Sequence, residues 1–307
     1  MSGWTPADLP SQAGRTAIVT GTGGLGLEDA LALAGAGAEV IVAGRNPDKG
    51  AAALARIRQA VPEARVAFEP LDLASLASVA AFAERMAGSR DRIDLLINNA
   101  AVMAPPTRQV SADGHELQFA TNHLGHFALA ARLLPLLRRA GAPRVVSLSS
   151  VAARSGRIAF DDIQAERAYR PMAVYSQSKL ACLMFALELQ RRSDAGAWGL
   201  ASLAAHPGIA RTDLLPNGAG ARSVGGLARS LLWFLFQPVA QGALPTLYAA
   251  AAPAAKAGGY YGPIRLGETR GAPGPARIPA QALDEAAAAR LWEMSERLAG
   301  VSFPEAR

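Results

Sequence analysis

The chain has 307 residues, of which 50% are hydrophobic and 18% charged, and its formal net charge is +6. That balance supports a sizeable core and excludes a disordered chain, while a single cysteine, Cys182, excludes an intrachain disulfide. The arginines are scattered rather than clustered, and no nucleic-acid-binding motif accompanies them, so the basic charge reads as solvated surface and not as a nucleic-acid partner.

No stretch of roughly 18 uncharged apolar residues marks a membrane span. The start, Met1-Ser2-Gly3-Trp4-Thr5-Pro6, carries neither a basic nor an apolar signal region, so a cytoplasmic protein is expected. Arg15-Thr16-Ala17-Ile18-Val19-Thr20 is a short apolar run that stops at glycine, as a buried parallel strand does. Residues 24–36 follow with a helical pattern, and Glu39-Val40-Ile41-Val42-Ala43 is a second buried strand. Further apolar runs at 65–69, 93–98, 144–149 and 199–205 alternate with helical patterns. The alternation predicts an α/β fold: one Rossmann-type, doubly wound parallel sheet with helices on both faces, in a single domain spanning 1–307. Gly271-Ala272-Pro273-Gly274-Pro275 reads as a loop before a last helix at about 284–299, with Asp284 at its start.

Between the first strand and first helix lies Gly21-Thr22-Gly23-Gly24-Leu25-Gly26, a G-x-G-x-x-G pattern. Glycines there let the backbone approach a pyrophosphate, and the helix-start N–H groups face its charge. Enzymes of this architecture that use NAD place an acidic residue some 20 positions on, where it binds the adenosine ribose. Here Arg45 stands at the end of the second strand. A guanidinium can pair with a 2′-phosphate bidentately, which points to NADP(H) over NAD(H).

Tyr175 and Lys179 form Y-x-x-x-K. Residues four apart share a helix face. A free phenol titrates near 10, too high for a base at neutral pH, and a neighbouring ammonium or an oxidised nicotinamide favours the phenolate. Arg144-Val145-Val146-Ser147-Leu148-Ser149-Ser150 is a strand ending in hydroxyls at the carboxyl edge of the sheet, where ligands of open α/β sheets bind. Ser150 can there hydrogen-bond a carbonyl oxygen as it gains charge. Asn98-Asn99-Ala100-Ala101 ends another strand at the same edge, and Asn122 lies in a helical stretch, where a buried amide can hold a water beside the lysine.

With these elements in this order, the chain resembles the short-chain dehydrogenase/reductase family over nearly its whole length, and within it the branch of retinol dehydrogenases and related carbonyl reductases. The matching elements include Asp72 in Leu71-Asp72-Leu73, the stretch Asn98-Asn99-Ala100, and His206-Pro207-Gly208-Ile209-Ala210-Arg211-Thr212, similar to the family's proline-glycine turn. The resemblance implies Asn122, Ser150, Tyr175 and Lys179 as the catalytic set. It also implies that Asp72 and Leu73 lie by the adenine, that Asn99, Ala100 and Ala101 run along the cofactor, and that Tyr175 and Lys179 contact its nicotinamide ribose. Pro207 and Gly208 form the turn at the nicotinamide, with Ile209 and Thr212 by its amide. The expected reaction is hydride transfer between nicotinamide and a carbonyl or alcohol, with Tyr175 as general acid and base. The alternative is a catalytically idle NADP-binding sensor or scaffold on the same fold. Two departures stand out: Gly21 and Gly24 are three apart where the family has four, which removes a residue near the adenosine ribose, and Ala101 replaces a glycine.

The 25 residues from Ser150 to Tyr175 are similar to the spacing of the retinol-type branch, and the segment around Arg154 to Arg170 is expected near the pocket mouth. Whether the enzyme is a monomer or a homodimer stays open. A substrate lid is expected over about 213–242, where Leu214, Leu215 and the run Leu231-Leu232-Trp233-Phe234-Leu235-Phe236 suit a bulky apolar substrate, a core helix, or weak membrane-surface association. His123 and His126 have no carboxylate or cysteine pattern to complete a metal site, and Cys182 reads as core.

Overall fold

The computed structural model describes residues 3–210 and 237–304. Its strands are β1 (Thr16–Thr20), β2 (Glu39–Gly44), β3 (Val66–Pro70), β4 (Leu95–Asn98), β5 (Arg144–Leu148), β6 (Ala201–Ala205), β7 (Tyr260–Arg265) and β8 (Arg270–Pro275). They form one sheet in the order β3-β2-β1-β4-β5-β6-β7-β8. Every pairing is parallel except the last, β7 with β8. The central strands β1, β2 and β4 are apolar and buried nearly end to end because both faces are covered, whereas the edge strand β3 is only partly buried. Ala17 and Val19 of β1 join one core cluster and Ile18 joins another, and Val40 and Val42 alternate with Ile41 and Ala43 in the same way.

One face carries α1 (Gly24–Gly35), α2 (Pro47–Ala60) and α7 (Val239–Ala251), which supply Leu33, Ile57 and Leu247 to that cluster. The other face carries α3 (Leu76–Ser89), α5 (Gly125–Leu137), α6 (Pro171–Ala195) and α8 (Glu285–Ala299). Phe82, Phe127, Phe185 and Trp292 pack there. The short helix α4 (Leu117–Phe119) passes through a π-helical turn, Ala120–Leu124, into α5. Asp284 caps α8 by accepting the Ala287 N–H at 2.9 Å, and Gly300 ends the helix in the left-handed conformation.

Two sequence expectations change. The segment Gly271–Pro275 is part of strand β8, not a loop. Its glycines and prolines hide the signal, and proline is tolerated because β8 is the outermost strand. Its antiparallel direction follows from the tight connection after β7, too short for a crossover. The carboxyl end of the expected lid, from Val239, lies in α7, a helix packed on the sheet. Leu214, Leu215 and the run 231–236 lie outside the described residues. Among those described, no helix is long and apolar enough to cross a membrane.

Candidate active site

The glycine loop is built so that backbone, not side chain, faces outward. Gly21 and Gly24 have φ of +102° and +54°, a region that favours glycine. A Cβ on Gly26 would lie 2.5 Å from Asn99 Nδ2 and 2.9 Å from the Gly21 carbonyl, so only glycine lets α1 start this close to β4. Gly23 has nothing within 4 Å of its Cβ position, and as N-cap of α1 it offers no side-chain cap. The first N–H groups of a twelve-residue helix are thereby aimed into an open cradle, which fits an anionic pyrophosphate. Leu25 is buried. The loop makes this cradle despite being one residue short.

Thr20, at the end of β1, ties that cradle to β4. Its Oγ1 accepts the N–H of Asn99 at 2.9 Å and of Ala100 at 3.0 Å, and Asn99 Nδ2 donates to its carbonyl at 2.7 Å. The stretch Asn99-Ala100-Ala101 therefore runs beside the glycine loop. Thr22 packs on Gly44, whose Cβ would approach Thr22 Cγ2 to 2.7 Å, and this sets the exposed Arg45 next to the loop. On the other side, Asp72 Oδ1 accepts the Ala74 N–H at 2.9 Å, and the Leu73 carbonyl lies against Gly125, where a Cβ would collide with it.

Ser149 and Ser150 follow β5. Ser149 Oγ donates to the Lys179 carbonyl at 2.8 Å, and Lys179 Nζ donates to the Leu148 carbonyl at 2.9 Å. The helix with Y-x-x-x-K is thus stitched to the carboxyl edge of β5. Ser150 Oγ accepts the Ala152 N–H at 3.2 Å and stands near enough to Tyr175 to influence its phenol. Burial pushes the Tyr175 phenol up to about 12, and the Ser150 hydroxyl pulls against that rise. Burial also lowers the pKa of Lys179. The downward pull on the phenol expected from Lys179 is therefore not the governing effect in this geometry: desolvation governs it.

Asn122 sits in the π-helical turn, a type of distortion often found at functional sites. Its Oδ1 accepts the Val102 N–H at 2.8 Å, and Nδ2 donates to the Val102 carbonyl and to Ser178 Oγ, each at 2.9 Å. Both amide hydrogens are used, so the side chain clamps the segment after Asn99-Ala100-Ala101 instead of turning to Lys179. Its carbonyl accepts His126 Nδ1–H at 3.0 Å, which leaves Nε2 to meet Thr20 Oγ1 at 2.9 Å. Burial holds His126 down to about 4, so the ring is neutral. Thr20 and His126 link the π-helical turn to the cradle, a role no sequence spacing showed. His123 instead meets Ser295 Oγ at 2.8 Å, and no cluster that could hold a metal occurs among the described residues. Cys182 is buried.

After β6, Gly208 has φ +64° and lies against Thr269. The Cβ position of Gly242 is 2.7 Å from Ala210, 3.0 Å from Leu25 and 3.6 Å from Pro207, which sets this turn over the start of α1. Ile209 is 37% exposed there. Thr212 lies outside the described residues. The segment between Ser150 and Tyr175 is pinned to α6 by Gln177, which donates to the Ile163 carbonyl at 3.1 Å and accepts the Ala159 N–H at 2.8 Å.

A parallel sheet with a glycine cradle at one strand end and a serine, a buried tyrosine and a lysine at another defines a dinucleotide-dependent oxidoreductase. The chain belongs to the short-chain dehydrogenase family, whose model matches residues 15–220. Human retinol dehydrogenase 13 is 39% identical, over 99% of this chain and 91% of that protein. Mouse polyprenol dehydrogenase is 40% identical, over 96% of this chain and 87% of its own length. These relatives place the chain in the retinol dehydrogenase branch. Among solved structures, an uncharacterised protein from Mycobacterium paratuberculosis is 40% identical with a TM-score of 0.82, covering 99% of this chain and 100% of its own. An NAD(P)-dependent gluconate 5-dehydrogenase from Beutenbergia cavernae with bound NADP is 26% identical with a TM-score of 0.62, over 80% of this chain and 92% of its own. The fold is thus one that binds a nicotinamide dinucleotide.

Proposed function

We propose that this enzyme transfers hydride between NADP(H) and a carbonyl or alcohol on a bulky apolar substrate, with Tyr175 as general acid and base. The observation that carries it is the buried Tyr175 phenol beside Ser150, on the helical turn that Lys179 and Ser149 stitch to the carboxyl edge of β5. Bound there, the dinucleotide supplies or takes the hydride at the substrate carbon. Ser150 donates to the substrate oxygen and stabilises its developing charge. Tyr175 gives that oxygen its proton. A phenol held up near 12 stays protonated at neutral pH, which suits the reducing direction, since the oxygen formed is a far stronger base. Lys179, anchored on the Leu148 carbonyl, keeps a cation one helical turn from the phenol and offers two further hydrogens to a ribose.

Arg45, exposed beside the glycine loop, supports NADP(H) over NAD(H), because it can meet a 2′-phosphate without desolvation. The names of the retinol and polyprenol relatives support a long apolar alcohol or its carbonyl form as substrate class. The experiment is a steady-state screen of NADPH and NADH oxidation across small, aryl and long-chain carbonyls. Preference for NADPH and for long apolar carbonyls is expected; preference for NADH, or binding without turnover of any carbonyl, would overturn the reading.

A further inference from the structure

The turn after β6 is held by a hydrogen-bond chain that runs from a buried histidine out to the surface and that the reaction itself does not call for. His206 is fully buried, and its ring fills room left by Gly262 on β7. Its Nδ1 accepts the backbone N–H of Gly208 at 3.1 Å. A backbone N–H can only donate, so Nδ1 carries no hydrogen, and Nε2–H must donate to Glu268 Oε2, 3.0 Å away. The same carboxylate oxygen receives Arg154 Nη2 at 2.6 Å, and Oε1 accepts the Arg277 N–H at 3.0 Å. Arg154 Nη1 donates to the Gly267 carbonyl at 3.0 Å.

The three residues come from different walls. His206 leads into Pro207-Gly208, Glu268 sits in the β7–β8 connection, and Arg154 lies in the 3-10 turn Val151–Ser155 that begins at Ser150. Glu268 is held at φ +67°, a conformation that is strained for a non-glycine residue and that persists only where the surroundings enforce it. Burial holds His206 down to about 4, so the ring stays neutral and keeps this tautomer.

We propose that Glu268 is a positioning residue for the reaction: through His206 it fixes the Pro207–Gly208 turn, and through Arg154 it locks that turn to the segment carrying Ser150. The relation sets the distance between the wall that takes the nicotinamide end of the cofactor and the serine that takes the substrate oxygen. This rests on the reading of the site given above.

The test compares wild type with Glu268→Ala, with His206→Ala, and with His206→Asn, whose amide oxygen can replace Nδ1 as acceptor for Gly208. Nitrogen NMR of 15N-histidine protein reports the His206 tautomer with no cofactor present. Emission of bound reduced dinucleotide reports nicotinamide placement, and titration with the adenosine diphosphate fragment (2′,5′-ADP for NADP, ADP for NAD) reports the other half. For Glu268→Ala the proposal expects loss of the single Nε2–H tautomer, a changed nicotinamide emission, a fragment affinity within about twofold of wild type, and kcat lower by about 10- to 100-fold, the loss typical of removing a group that orients another. His206→Asn should recover most of the turnover that His206→Ala loses. An unchanged tautomer and unchanged emission in Glu268→Ala, or losses in kcat that only track the folded fraction, would overturn it. A wild-type protein that binds neither dinucleotide would fail the cofactor reading, and the tautomer would then still decide whether Glu268 holds His206.

Discussion

Lys179 hangs its ammonium on the Leu148 carbonyl at 2.9 Å, while Ser149, one residue on, returns a hydrogen bond of 2.8 Å to the Lys179 carbonyl. This reciprocal pair fixes α6 against the end of β5, and with it the meeting of Tyr175 and Ser150. The geometry proposed for acid–base transfer is therefore a property of one strand end and one helical turn.

Replacing Tyr175 with Phe removes only the hydroxyl. Turnover should fall by about 10²- to 10⁴-fold, the range for a positioned acid–base group, with dinucleotide affinity within severalfold of wild type. Because the wild-type phenol sits near 12, its protonation contributes no pH dependence to carbonyl reduction between about pH 6 and 9, whereas alcohol oxidation, which needs the phenolate, should rise with pH. A reduction rate that falls tenfold per pH unit above 7 would contradict this assignment. Steady-state profiles in both directions check it.

Gly23 and Gly26 should separate ligand binding from folding. Gly23→Ala meets nothing in the protein and its φ of −150° suits alanine, so the melting temperature should hold while dinucleotide affinity drops. Gly26→Ala drives a Cβ into Asn99 Nδ2 and should destabilise by about 1–3 kcal/mol, as overpacking does. Thermal melts alongside fluorescence titrations distinguish the two.

Arg45→Asp should invert the preference between the two dinucleotides. A charge-assisted hydrogen bond contributes about 1.5–3 kcal/mol, so loss of about 10- to 100-fold in NADPH efficiency is expected, with NADH gaining relatively. Ratios of kcat/KM for the two cofactors measure this.

Asp29 is a buried acid within α1, and both its oxygens lack a hydrogen-bond partner among the described residues. Burial, reinforced by Glu28, raises its pKa well above that of a free aspartate. A raised folded pKa means the folded state favours the protonated form. The resulting stability is complete below the unfolded pKa of about 3.9 and is lost as pH rises towards the folded value, at about 1.4 kcal/mol per pH unit. Asp29→Asn, a neutral near-isostere, should remove that slope and leave the protein more stable than wild type at pH 8. Urea denaturation from pH 5 to 8 tests it, and parallel lines for the two proteins would refute it.

The local patterns of the chain were enough for the parallel strands β1 to β6, for α1 and for α8 with its Asp284 cap. A buried strand is a continuous apolar run, and a helix carries its own period and caps, so both signals lie within a few neighbouring residues. The glycine loop, Ser150 and Tyr175–Lys179 were legible for the same reason: each is a short motif set by its place at a strand end. Strand β8 was not, because Gly271 to Pro275 has no strand character until Tyr260–Arg265 pairs with it.

The environment of each site residue also belongs to tertiary structure. Nothing near Asn122 in sequence says that its amide is taken by Val102 and Ser178, nor that His126 reaches Thr20. Motif spacing pointed to Lys179 and an oxidised nicotinamide as influences on Tyr175, but in the folded chain burial is the larger influence on the phenol. The bridge from His206 through Glu268 to Arg154 joins positions separated by 62 and 113 or more residues, as its hydrogen bonds show. Sequence fixes which groups the chain carries and the local elements that hold them; burial and long-range hydrogen bonding exist only once the sheet has assembled, and they decide which of those groups meet and in what protonation state.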